Sequence, residues 1–234
     1  MCSSDLQFFN IQSLDIIQMP RMPELDQSYM DNFRFTSRET MWLTRRLWEL
    51  TNTRYLLGAR GIERQLNPVT DPQLNRFRSI LPFAITAKPD APQGLGRTPS
   101  EQLDQLTAVA DTNGPLAVVE FTGALPRARL FTQWEVQTND TAVLARLRDP
   151  AWDPHESVLV NVTPPGLKAS GTNAASAQAT VKSYAPKHIV VNTQSPADAI
   201  LLLNERWYQH WHVQIDGKPA ELLRANYLMR GVAV

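Results

Sequence analysis

From Thr180 to Val234 the chain shows no helical period, and that constrains its fold more than any other feature. Strand-like runs occupy Ala179–Tyr184, His188–Thr193, Ala199–Asn204, Trp211–Ile215, Ala220–Leu223 and Leu228–Val234. Turn residues separate them at intervals of about eight to twelve positions, the spacing of an all-β layer. Asp216-Gly217 lies between two of these runs and is a type I′ hairpin signal, because both central residues of that turn need positive φ. Short strands at this spacing bury their apolar residues by pairing with their neighbours. Residues 180–234 are therefore expected to form an antiparallel, β-sandwich-like region.

The first two thirds read differently. Residues 7–35 mix isolated apolar side chains with Pro20, Pro23 and several acids, and predict an extended entry. Thr36-Ser37-Arg38-Glu39 has the form of a capping box, and Leu43, Leu47 and Leu50 then recur at helical spacing beside Trp42 and Trp48. Arg54–Gly58 reads as a short buried strand, and Ser79–Ala87 as another that Pro82 pushes to a sheet edge. Prolines and glycines from Lys88 to Arg97 predict a loop. Thr98-Pro99-Ser100-Glu101 is a second capping box with proline at the first helical position, followed by a stripe of Leu103, Leu106 and Val109 or Ala110. Leu116–Phe121 and Arg127–Val136 read as strands joined by a turn at Gly123–Pro126. Thr138 or Asn139 caps a third helix carrying Val143, Leu144 and Leu147, which stops before Pro150. Ser157–Val162 is a further strand. Strands alternating with short helices predict a mixed α/β layer, so the fold class is α+β.

Residues 163–179 contain almost nothing large and apolar and are expected to be a flexible linker. The domain plan is thus an α+β subdomain over 7–162, the linker, and the β subdomain over 180–234. Met1–Leu6, back-translated with GTG as initiator, matches the end of a common sequencing adapter. Residues 1–6 are accordingly expected to be a non-native leader. Gly231-Val232-Ala233-Val234 reads as a strand in progress, which predicts truncation there.

Composition narrows the function. The chain carries 23 basic and 23 acidic residues, which argues against a nucleic-acid-binding surface. Cys2 is the single cysteine, so an internal disulfide and a cage of several thiolates around zinc are both excluded. No G-x-S-x-G elbow, phosphate-binding glycine loop or H-E-x-x-H pattern occurs. The one aromatic-rich cluster is Trp207, Tyr208, His210 and Trp211, with His212 beside it. On a strand, 208, 210 and 212 share one face, so His210 and His212 could ligate a metal with His188 as a third ligand. Trp207, Tyr208 and Trp211 could instead form a sugar-stacking platform, or pack a small sandwich core. Asp149, Asp153 and Glu156 flank Trp152, a pattern that fits either a carboxylate pair or, more simply, turns. Arg127 and Arg129, after Pro126, could pair an acidic ligand, but read more simply as edge-strand arginines facing solvent. No catalytic residue, metal or cofactor is expected from the sequence. Trp207, Tyr208, His210 and Trp211 are the candidate glycan-binding residues.

Two stretches carry a family resemblance. VKSYAPKHIVVNTQ and AILLLNERWYQHWHVQIDGKPAELLRANYLMRGVAV resemble the C-terminal extracytoplasmic domain of YfhO-family bacterial membrane proteins. The matching positions are Tyr184, Pro186, Ile189, Trp207-Tyr208, Trp211, Asp216-Gly217, Arg224-Ala225-Asn226-Tyr227 and Arg230-Gly231-Val232. The chain departs at Gln209 and His210, where the family commonly has Pro-Gly. Upstream, ALPRARLFTQWEV, with Pro126 and Arg127, is similar to a Leu-Pro-Arg-Ala segment of the same family, and the Arg46–Gly58 stretch looks like a helix leading into a strand. The resemblance implies a domain on the extracytoplasmic side of the bacterial cytoplasmic membrane. It also implies a polytopic parent resembling glycosyltransferases that use lipid-linked sugars to modify cell-envelope polymers. The partners so implied are the membrane-embedded part of the same polypeptide and an envelope glycan or lipid-linked sugar. The family's catalytic positions fall outside these motifs, so this stretch is expected to bind or support rather than catalyse. A carbohydrate-binding β-sandwich module without enzymatic role is the alternative.

Overall fold

A computed structural model of the chain describes residues 22–91, 98–170 and 176–234; the expected leader at 1–6 lies outside them. The described chain is α+β, with a sheet-rich C-terminal region, as the pattern of strand runs predicts. It forms two compact units. One is Thr53–Gly123, and the other combines Met22–Asn52 with Ala124–Val234.

The chain enters on a helix, α1 (Glu24–Asn32), where an extended segment was expected. Glu24 and Asp26 occupy its first turn, where acids favour the helix dipole. Its apolar signal is weak because only Tyr29 and Phe33 face inward, one turn apart, their rings 5.1 Å from each other. A helix this short owes its stability to packing rather than to propensity. The capping box sits one residue later than the pattern indicates: the Thr36 and Ser37 backbone N–H groups both donate to Thr40 Oγ1 at 3.1 Å. The expected helix follows as α2 (Trp42–Leu50), with Leu43, Leu47 and Leu50 buried. Arg46 is buried too; its guanidinium lies against the Trp42 and Trp152 rings, and Nη1 donates to the Leu147 carbonyl at 3.2 Å.

The 53–123 unit is built from β1 (Tyr55–Ala59), α3 (Glu63–Thr70), β2 (Phe77–Ala87), α4 (Pro99–Asp104), β3 (Leu106–Ala110) and β4 (Leu116–Phe121). Its antiparallel sheet runs in the order β1-β4-β2-β3. One face is sealed by Ala117, Val119 and Phe121, with Phe77 stacked on Phe121 at 4.6 Å. The other face is open: Leu57 is 77% exposed, and Tyr55, Leu81, Ile85 and Leu106 are exposed as well. β1 is therefore not the buried strand its composition suggests. β2 is an inner strand rather than an edge. Pro82 is accommodated because β3 pairs only from Phe83 onward, and a bulge between Ser79 and Leu81 adjusts the register against β4. Residues 106–110 are strand rather than a helical stripe, although Thr98 and Glu101 do cap α4 reciprocally as read. α3 was not anticipated. Asn67 near its end exchanges two hydrogen bonds of 3.0 Å with the Phe77 backbone, which fixes the start of β2.

In the other unit the chain continues through β5 (Ala128–Phe131), β6 (Trp134–Val136), α5 (Asp140–Leu147) and β7 (Val158–Val160). It then passes through β8 (Gln178–Ala185), β9 (His188–Gln194), β10 (Ile200–Arg206), β11 (Val213–Ile215), β12 (Lys218–Ala220), β13 (Leu223–Ala225) and β14 (Met229–Ala233). Six of these strands form one sheet in the order β5-β10-β14-β13-β7-β6, while β8-β9 and β11-β12 are separate hairpins. Every pairing is antiparallel except β6 with β7. Asn139 caps α5 through Ala142 N–H at 3.1 Å. On one face of the sheet Phe131, Ile200, Leu202 and Leu223 are buried. On the other, Ala128, Leu130, Leu201, Leu203 and Val232 form an apolar floor against which Val181, Ile189, Val191, Val213, Ile215 and Leu222 pack. The second layer is thus two hairpins rather than a continuous sheet.

The boundary read at 163–179 is not where the chain divides. β5 pairs with β10 across it, so the sheet joins residues from both sides, and the 53–123 unit is instead an insertion into the larger one. Part of the expected linker is fixed: Lys168 N–H donates to Asp198 Oδ2 at 3.0 Å, Ser170 N–H donates to the Thr132 carbonyl at 2.7 Å, and Gln178 and Ala179 already belong to β8. Residues 171–175 lie outside the described residues.

Leu202 and Leu57 test these two environments. Leu202→Ala should lower unfolding free energy by about 3 kcal/mol because it opens a sealed cavity. Leu57→Ala should change it by less than ~0.5 kcal/mol, since Leu57 stays in water. Urea titrations of both variants measure this, and equal losses would contradict the assignment of faces.

Candidate functional site

A cleft of about 600 Å³ opens in the larger unit above strands β10 and β14, between the two hairpins. Its floor is apolar, with Leu201, Leu203 and Val232 below and Ile189, Val191, Val213 and Ile215 at the sides. Polar groups line the same space: Lys187 and His188 from the β8-β9 hairpin, His210, Trp211 and His212 from the loop before β11, Asp216 from the β11-β12 turn, and Arg230 from β14. An apolar pocket with a few convergent polar groups is the usual form of a ligand site.

The loop that brings in the aromatics is not the strand expected. β10 ends at Arg206 and β11 begins at Val213, so residues 207–212 turn instead of alternating faces. The Trp211 backbone N–H donates to the Tyr208 carbonyl at 3.1 Å, closing this turn although Gln209-His210 stand at its centre. The aromatic cluster therefore divides. Trp211 and His210 line the cleft, but Trp207 and Tyr208 do not. Trp207 is half-buried, its backbone N–H donating to the Leu228 carbonyl at 2.7 Å. Tyr208 is 49% exposed and meets His210 edge-on at 5.0 Å. The three histidines considered as ligands all line the cleft, yet among the described residues no three His, Cys, Asp or Glu side chains gather closely enough to hold a metal ion.

Arg230 is the residue whose importance sequence reading missed, since it stood there only as a motif position. It is 7% exposed, its Nε donates to the Arg206 carbonyl at 2.9 Å, and its guanidinium lies 4.0 Å from the Trp211 ring centroid. Burial pushes its pKa down, opposed by the negative field of Glu205 and by Tyr184. Glu205 itself accepts from Arg127 Nη1 at 2.6 Å.

The other positions that carry the family resemblance do structural work. The Arg127 guanidinium lies over the Tyr184 ring at 4.6 Å, tying β5 to the β8-β9 hairpin, and is not the free edge arginine expected. The Pro126 carbonyl accepts from Asn204 Nδ2 at 2.8 Å. Pro186 and Lys187 form the link between Ala185 and His188. Asp216 and Gly217 have φ of 49° and 77°, the type I′ geometry read from sequence. Arg224 is ion-paired with Asp140 and lies 5.4 Å from the Tyr227 ring. Asn226 and Tyr227 both adopt positive φ in the β13-β14 turn. There Asn226 Oδ1 accepts from Leu159 N–H at 3.0 Å, and Asn226 N–H donates to the Leu159 carbonyl at 2.9 Å. A β-carbon on Gly231 would stand 3.1 Å from that of Ala225, so glycine permits the close strand approach.

Two of the carboxylates near Trp152, those of Asp149 and Asp153, serve turns. Asp149 accepts from Ala151 N–H at 2.8 Å and pairs with Arg146, contacts that lower its pKa. Asp153 accepts from His155 N–H at 2.8 Å, and Trp152 is buried with Nε1 donating to Ser157 Oγ at 2.8 Å. Arg129 is also not a solvent-facing arginine: Nη2 donates to the His155 carbonyl at 2.6 Å.

Comparison with known proteins finds no matching family model, no matching curated protein and no matching solved structure. The geometry of the cleft therefore carries the functional argument.

Two variants probe the site's construction. Asn226→Ala should cost about 2 kcal/mol in urea unfolding, because it strands Leu159 N–H in a buried strand and removes a residue tolerant of positive φ. Trp211→Ala should cost ~1 kcal/mol through loss of the Arg230 contact. A Trp211→Ala protein that melts at the wild-type temperature would show that the tryptophan does not brace Arg230.

Proposed function

We propose that this chain is a non-catalytic, glycan-binding extracytoplasmic domain of a YfhO-like protein of the bacterial cytoplasmic membrane. In this reading the cleft holds an envelope glycan or the sugar of a lipid-linked donor, and the membrane-embedded part of the same polypeptide does the chemistry. The observation that carries the proposal is the cleft itself: its apolar floor, its single flat aromatic wall at Trp211 and its ring of hydrogen-bonding side chains match what a sugar presents. The ordered set of motif positions, from Pro126 to Gly231, supports the family half of the reading. No helix among the described residues is long and apolar enough to cross a membrane, so membrane spans would have to lie elsewhere in the parent.

Binding to an array of bacterial envelope saccharides tests the glycan half. Trp211→Ala should weaken binding about tenfold, or ~1.4 kcal/mol. Tyr208→Ala should leave it unchanged, because that ring stands outside the cleft. Failure to bind any envelope saccharide would overturn this half. Sequencing the DNA that flanks the gene segment tests the family half: a continuous reading frame encoding several apolar spans of ~20 residues is expected. A frame without such spans would refute it.

A further inference from the structure

The cleft contains a buried cation, Arg230, that makes no ion pair among the described residues. Arg230 donates only through Nε to a backbone carbonyl, and among the described residues neither of its Nη nitrogens has a protein acceptor. Glu205, whose negative field reaches it, is engaged by Arg127. An arginine this buried would ordinarily be paired with a carboxylate, since an unmatched charge out of water is strongly unfavourable. Here the guanidinium borders open space, with the Trp211 ring against it. Lys187, His188, His210 and His212 line the same cleft, and Asp216 is the one acid among the lining residues. The space beside Arg230 is thus walled partly by apolar side chains, and the buried guanidinium there is well placed to make a charge-assisted bond.

We infer that the cleft contains an oxyanion subsite, in which Arg230 receives a carboxylate or phosphate group of the bound saccharide through its two free Nη groups. The guanidinium fork matches either group in bidentate fashion, which a lysine could not reproduce. The neutral part of the sugar would then lie on the apolar floor toward Trp211. This inference rests on the reading of the cleft as a glycan site and adds the chemical class of glycan: one bearing an acidic substituent.

Isothermal titration of the full 234-residue chain with glucuronate, glucose 1-phosphate, methyl glucoside and inorganic phosphate tests it. At least one acidic sugar should bind about tenfold or more tighter than methyl glucoside, and Arg230→Gln should reduce that preference to within about twofold. Arg230→Lys should recover only part of it. Equal affinity for glucuronate, glucose 1-phosphate and methyl glucoside would overturn the oxyanion subsite and leave the glycan reading standing. Inorganic phosphate binding as tightly as glucose 1-phosphate would keep the subsite and remove the glycan reading. Should Arg230→Gln fail to fold, the wild type still decides the matter. The Arg230 guanidinium nitrogen resonances should shift on addition of glucuronate and stay fixed with methyl glucoside, and a fixed signal in both would overturn the inference.

Discussion

Strand β10 is the element on which the larger unit depends. Its run Ile200-Leu201-Leu202-Leu203 is apolar on both faces, so it cannot lie at a solvated edge and must be covered above and below. Pairing with β5 on one side and β14 on the other fixes it at the interior of the sheet. Each fully buried leucine contributes roughly 1.5–3 kcal/mol, so the strand supplies a large part of the unit's stability. Its two faces then diverge in use. Ile200 and Leu202 go into the sealed core, whereas Leu201 and Leu203 become the floor of the cleft.

That arrangement explains why the resemblance-bearing residues cluster around β10. Arg127 and Tyr184 hold the β8-β9 hairpin over the floor, and Asp216-Gly217 turns the β11-β12 hairpin that closes the opposite wall. Asn226 and Gly231 let β13, β14 and β7 approach closely, which brings Arg230 to the cleft beside Leu203 in register. These scattered Tyr, Asn and Gly positions set the backbone geometry around the cleft floor.

Much of the larger unit was legible because its signals are local. The leucine spacing of α2, the Asn139 cap of α5, most strand runs after residue 180 and the Asp216-Gly217 turn follow from neighbouring side chains, although the run read at Ala220–Leu223 spans the gap between β12 and β13. The features that escaped depend on partners far along the chain. α1 has only Tyr29 and Phe33 to declare it, and Tyr29 stacks on Tyr227 at 6.2 Å, a partner no window could contain. β1 looks buried from its leucines, yet its sheet leaves one face open. Pro82 looks like an edge marker, yet β3 ends before reaching it. The linker composition of 163–179 was real but carried no boundary, because β5 reaches over it to β10.

The sequence alone determined the α+β class, the strand density of the C-terminal region and the residue types available for a site: aromatics, histidines and arginines without an evident nucleophile or metal set. Those properties follow from periodicity and turn chemistry, which act over a few residues. Only the tertiary structure decided which of these residues meet. It split Trp207 and Tyr208 from Trp211, because the chain turns at 207–212 instead of continuing as a strand. It also set Arg230 under Trp211 with no ion pair among the described residues, because the register of β14 on β10 carries it to the cleft face while Glu205 is held by Arg127.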